Sequence, residues 1–160
     1  MVRVWFGNEA DGLKRDRKEH VLTIERQAPD LEFIKAFYCN GLDFYVTGVT
    51  SGRAGRMMYL AHKRLPSVAL GFLQSDADAL ACAPMTLDIG VWDVSEWEVT
   101  TNRMQAMGYA PTAQKLANPH QKWVEYEDPT GANIRYTFTQ PPVTQKRLDP
   151  NAPRPELEND

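Results

Sequence analysis

Two charged residues sit inside alternating apolar runs. In Thr86-Leu87-Asp88-Ile89-Gly90-Val91, the side chains of Leu87, Ile89 and Val91 fall on one face of a strand. Thr86, Asp88 and Gly90 then fall on the other. In Asn133-Ile134-Arg135-Tyr136-Thr137-Phe138, the same period sets Arg135 and Thr137 against Ile134, Tyr136 and Phe138. A desolvated carboxylate on such a polar face is a candidate general base. A guanidinium there is a candidate grip for an anionic or carbonyl oxygen. His120 follows Asn118-Pro119 in a loop, where histidine can exchange protons, although a solvent-facing turn residue is the commoner outcome. His62 precedes Lys63-Arg64 and reads as a solvated face. Cys39 and Cys82 form no CxxC and read as free thiols of a reducing, cytoplasmic compartment. Cys39 falls late in a predicted helix and reads as a packed small hydrophobe.

The elements that position these residues centre on a hairpin. Trp123 to Phe138 holds two alternating runs around Asp128-Pro129-Thr130-Gly131. Pro129 presets φ for a turn, Asp128 caps it, and Gly131 accepts positive φ. Upstream, the chain carries one pattern twice. A strand at 20–25 precedes a helix capped by Asp30, with Leu31, Ile34, Phe37 and Tyr38 at helical spacing and Gly41 at its end. Strands follow at 44–49, 57–61 and 68–73. After a connector, Leu87–Val91 forms a strand and Asp93 caps a helix carrying Trp97, Met104 and Met107. Gly108 ends that helix. Residues 109–116 run extended into the hairpin. The division is an extension at 1–18, a first module at 19–74, a linker at 75–84, a second module at 85–140 and a disordered tail at 141–160. The fold class is α+β: two tandem βαβββ modules forming a curved mixed-sheet cup.

Composition excludes several partners. A net charge of −3 with no basic stripe gives no reason to expect nucleic acid. No apolar run approaches the length of a membrane helix. Hydrophobic content of 42% and charged content of 24% suit an ordinary globular domain of 160 residues. Half-barrel edges seek partners, so a homodimer is expected.

The doubled unit, Asp30-Leu31 leading to Phe37-Tyr38 and Gly41-Leu42, and the closing Asp128-Pro129-Thr130-Gly131 resemble the vicinal oxygen chelate superfamily. That group includes glyoxalase I, bleomycin-resistance proteins and extradiol dioxygenases. The resemblance covers residues 19–138, with Ala132 standing where the pattern usually has Asn. It implies four strand positions for metal ligands. Three of them are Gly71, Thr86 and Arg135 in this sequence, and the fourth is Glu19 or His20. One candidate ligand and one guanidinium do not make a metal site. No metal and no other cofactor are therefore expected. The resemblance also makes the strands of Asp88 and Arg135 neighbours beneath the cup, where the two would pair in place of the cation. A salt bridge that only fixes the sheet is the equal alternative. The candidate ligand-binding set is Arg135, Asp88, Thr86, His20, Trp123 and Tyr38, with Asp88 and His120 as candidate catalytic groups. Tyr59, Met57, Met58 and Phe72 could add apolar walls, although core packing is the usual role of such residues.

The expected function is metal-independent binding of a small organic molecule, by sequestration as in the resistance proteins of this group. A cofactor-free isomerase, cyclase or lyase is the first alternative, and a metal-dependent glyoxalase or dioxygenase the second.

Overall fold

The computed structural model describes residues 2–5, 22–63, 65–75 and 84–141. Its order is β1 (Val2–Trp5), β2 (Leu22–Ala28), α1 (Leu31–Lys35), β3 (Phe44–Gly52), β4 (Gly55–His62), β5 (Leu65–Gln74), β6 (Thr86–Val91), α2 (Val94–Ala106), β7 (Ala113–Lys115), β8 (Gln121–Glu127) and β9 (Asn133–Thr139). Strand β2, a helix and β3–β5 are matched by β6, a helix and β7–β9. One sheet runs β2-β5-β4-β3 and the other β1-β6-β9-β8-β7. Within each, the unit's first strand pairs parallel with its last, and the remaining pairs are antiparallel. The sequence pattern repeats because the wiring repeats. Strand β1 adds a parallel edge to β6, so part of the expected extension is a strand. Glu19, His20, Cys82, most of the linker and nearly all of the tail lie outside the described residues.

Both helices start as their residues dictate. The Asp30 carboxylate accepts the Glu32 amide at 2.8 Å, and the Asp93 carboxylate accepts the Ser95 amide at 2.8 Å. The first helix does not use Gly41 as a left-handed glycine terminator. It widens into a π-helical turn, Ala36–Gly41, in which Phe37, Tyr38 and Gly41 are buried. Asp43 is the residue that takes the left-handed conformation, at φ 62°. Gly41 answers to packing instead. A Cβ there would lie 2.4 Å from Met104 Sδ on α2. The Arg103 side chain also donates to the Gly41 carbonyl at 3.0 Å.

One buried cluster joins the two units. Leu60 and Phe72 of the first sheet, Ile34 and Phe37 of the first helix, and Ile89 and Tyr136 of the second sheet all belong to it. The sheets therefore turn their helix-bearing faces toward a common core and their other faces outward. Phe37 meets Tyr109 edge-on at 5.0 Å.

The Asp-Pro-Thr-Gly turn is an internal clamp rather than a surface hairpin. Asp128 and Thr130 are each 3% exposed. One Asp128 oxygen accepts from the Thr130 amide (2.8 Å), the Thr130 hydroxyl (2.7 Å) and the Ala132 amide (2.9 Å). The other accepts from the Tyr38 hydroxyl at 2.7 Å. Arg26 reaches across from β2 and donates to Thr130 Oγ1 at 2.8 Å. This explains why β2 runs on through Arg26-Gln27-Ala28, beyond the strand expected at 20–25. Arg26 is buried in the strand because its partner lies in the other unit.

Candidate functional site

The outward face of the second sheet is built by alternation. In β6 it carries Thr86, Asp88 and Gly90, and in β9 Asn133, Arg135 and Thr137. In β8 it carries Trp123, Glu125 and Glu127. Asp88 stands level with Arg135, Glu125 is directly across from Arg135, and Trp123 is across from Thr137. Thr86 is half-buried and level with Asn133.

The charge pairing differs from expectation. Arg135 gives its guanidinium to Glu125, with Nη2 at 2.8 Å and Nε at 3.1 Å from one carboxylate oxygen. Its Cζ lies over the Trp123 ring, 4.5 Å from the centroid. Asp88, 1% exposed, accepts the Thr137 hydroxyl at 2.7 Å. The expected Asp88–Arg135 neighbourhood is present, but the anion bonded to Arg135 is Glu125. Directly opposed side chains on antiparallel strands approach closely, which favours that partner. Glu125 was legible in principle: closing the turn at Asp128 and Ala132 sets it level with Arg135.

The outward face of the first sheet is more apolar. Met57, Tyr59, Leu73 and Ala69 surround Gly71, with Glu25 alongside on β2. A Cβ at position 71 would lie 3.2 Å from the Tyr59 ring and 3.3 Å from Glu25 Cγ. A larger side chain at this position would displace that ring.

No protein-family profile matches the chain, and no curated protein matches it. Solved structures do. TnmS3, an antibiotic binding protein from Streptomyces sp. CB03234, is 21% identical, with 78% of this chain and 99% of that one covered and a TM-score of 0.59. A bleomycin resistance determinant encoded on the transposon Tn5 is 18% identical, covering 73% and 95%, with a TM-score of 0.52. A glyoxylase/bleomycin resistance protein/dioxygenase domain from Frankia sp. EAN1pec is 14% identical, covering 76% and 98%, with a TM-score of 0.61. The chain has the glyoxalase/bleomycin-resistance fold.

Members of this fold that hold a divalent cation need several neutral or anionic ligands. At three of the four matched positions this chain offers a glycine, a threonine and an ion-paired guanidinium, which supply at most one hydroxyl to such a cation; the fourth, Glu19 or His20, lies outside the described residues. Among the described residues, no three His, Cys, Asp or Glu side chains gather in a metal-holding group.

The other expected site residues divide. Trp123, Met57 and Tyr59 lie on outward faces. Tyr38 does not: it is wholly buried against Phe44 and Phe72, with its hydroxyl on Asp128. Burial pushes its phenol well above the ordinary range, and the Asp128 carboxylate adds to the rise. Met58 and Phe72 are likewise core. His62 is not on a solvated face. It is 3% exposed and packs edge-on against Phe44. His120 is exposed in its turn, where its ring meets the Gln140 side chain and its amide donates to Asn118 at 2.9 Å. His20 lies outside the described residues. Cys39 is a free, half-buried thiol whose pKa burial raises. No helix among the described residues is long and apolar enough to cross a membrane.

Proposed function

We propose that the protein binds a small organic molecule without metal, in a cup lined by the outward sheet faces, as a sequestering protein. The observation that carries this reading is Arg135. It is held against Glu125 and stacked on Trp123, and its side chain remains 26% exposed. A guanidinium fixed in this way can receive an oxygen of a flat ligand while Trp123 covers the ligand's ring. Similarity to an antibiotic binding protein and to a bleomycin resistance determinant agrees with this reading.

The cup is completed by a second chain. Within one chain the helix-bearing faces meet, so each outward face has only one wall. A homodimer that sets the first sheet of one copy against the second sheet of the other supplies both. Arg135 and Trp123 then face the Met57 and Tyr59 wall of the partner copy.

The test is a native mass spectrum, followed by titration with naphthoate, an aromatic carboxylate. The expected result is a dimer free of divalent ion that binds naphthoate. Arg135→Ala and Trp123→Ala should each weaken binding about tenfold, equivalent to about 1.4 kcal/mol. A monomer, or an EDTA-removable metal, would overturn the reading. So would naphthoate affinity unchanged in both Arg135→Ala and Asp88→Ala.

A further inference from the structure

A cavity lies on the opposite side of the second sheet from Arg135. It is about 520 Å³ in volume and opens between α2, the 108–111 segment and the β7–β8 edge. That volume is within the range of small-molecule sites, about 300–1,000 Å³. Trp97 of α2, Tyr109, and Val124 and Tyr126 of β8 contribute its apolar walls. Asn102, Gln105 and Gln114 add side-chain amides. Val124 and Tyr126 alternate with Trp123 and Glu125, so the sheet itself separates this cavity from the outward face.

Two features make it more than a gap in packing. First, none of its lining residues carries a charge, although a quarter of the chain is Asp, Glu, Lys or Arg. Second, Tyr126 lines this cavity. The residue is 2% exposed, but its hydroxyl bonds to none of the described residues and is not one of the fully buried polar atoms, so it is free to donate. The contrast is Tyr38, which is wholly buried and whose hydroxyl is satisfied by Asp128. Burial pushes the Tyr126 phenol up to about 12, so at neutral pH it remains a donor.

We propose that this cavity is a second ligand site, which takes a neutral aromatic compound bearing a carbonyl oxygen. The rings of Trp97 and Tyr109 and the side chain of Val124 would enclose the aromatic part. The Tyr126 hydroxyl would donate to the carbonyl, and the amides of Gln105 and Gln114 would meet polar substituents at the mouth. A carboxylate would find no cation here. The two sites therefore differ in the ligand charge they accept.

The test uses prodan, a neutral aromatic ketone whose emission shifts to the blue on leaving water. The full chain should bind it with micromolar affinity. Gln105→Trp, a change at an exposed helix position, should fill the mouth and weaken binding at least tenfold. Tyr126→Phe removes only the donor and should weaken it about fivefold, the worth of one hydrogen bond. Circular dichroism of each variant should match that of the parent chain. Naphthoate should not displace the dye. Absence of micromolar prodan binding would overturn the proposal. So would affinity unchanged in both variants, or dye that naphthoate displaces and that is lost in Trp123→Ala, which would put it on the outward face. These outcomes do not depend on the fate of the naphthoate reading, because Arg135 takes no part in them.

Discussion

Asp128 should be among the costliest single positions to change, although it touches neither proposed site. Its two oxygens accept four hydrogen bonds, from the Thr130 amide and hydroxyl, the Ala132 amide and the Tyr38 hydroxyl. It is 3% exposed, so water cannot readily replace it. Hydrogen bonds to a charged acceptor contribute about 1.5–3 kcal/mol each, and a buried donor left unmatched costs about 1–3 kcal/mol. Those terms do not add fully, because the turn can relax. Asp128→Ala should therefore cost about 3–5 kcal/mol, the range for breaking a buried ionic network. In a chain of this size that is a fall of about 10 °C in Tm. Tyr38→Phe deletes one of the four bonds and should cost about 1–2 kcal/mol. The double variant should cost about 1 kcal/mol less than the sum, because the two side chains are bonded to each other. Urea denaturation of the four proteins measures the cycle. A loss below about 1 kcal/mol for Asp128→Ala would refute the reasoning. So would a coupling below about 0.5 kcal/mol, the additivity expected of independent sites.

Two further expectations come from the contacts between the first helix and α2. Gly41→Ala puts a methyl where Met104 Sδ already sits and should destabilise by about 1–3 kcal/mol; Met104→Ala in the same chain should relieve part of that loss, measured by the same denaturation. Asp43 gives a pH effect. Burial alone would raise its carboxylate, but Arg103 at 3.0 Å and Lys63 at 3.2 Å hold it below the usual range. A depressed folded pKa means that the stabilisation is present above the unfolded value, about pH 4. It is lost as pH falls through the folded value. Asp43→Asn, which tolerates the positive φ, should remove about 0.5–1 kcal/mol at neutral pH and flatten the acid limb of a stability-against-pH curve. An unchanged limb would contradict the assignment.

The local logic of the chain was open to reading, and its long-range logic was not. Alternation gave the faces of β6, β8 and β9, and side-chain chemistry gave both helix caps, because each depends on neighbours within a few positions. Arg26 reads as loop because Arg-Gln at a strand end buries nothing that a neighbour explains. Its partner Thr130 lies in the other module. Gly41 reads as a helix terminator because that is the commonest local reason for a glycine there. Its actual reason, Met104, belongs to a different helix. His62 reads as solvated beside Lys63, whereas Phe44 on the paired strand holds it in the core. In each case the deciding contact crosses the fold, and no period in the sequence encodes it.

The same distinction bears on the two ligand faces. Strand β8 alternates Trp123 and Glu125 with Val124 and Tyr126, and neither set is idle. Trp123 and Glu125 hold Arg135 on one side of the sheet. Val124 and Tyr126 wall the cavity on the other. A strand buried on one face and wet on the other would leave its inward tyrosine hydroxyl paired inside the core, as Tyr38 is paired. Tyr126 departs from that pattern: it lines the cavity between α2 and the 108–111 segment, beside the three-residue β7. Short as it is, β7 contributes Gln114 to the cavity wall. It also leaves the outer edge of the second sheet unpaired beyond Lys115, where a second copy of the chain could approach. This one strand thus bears on both the proposed second site and the proposed dimer.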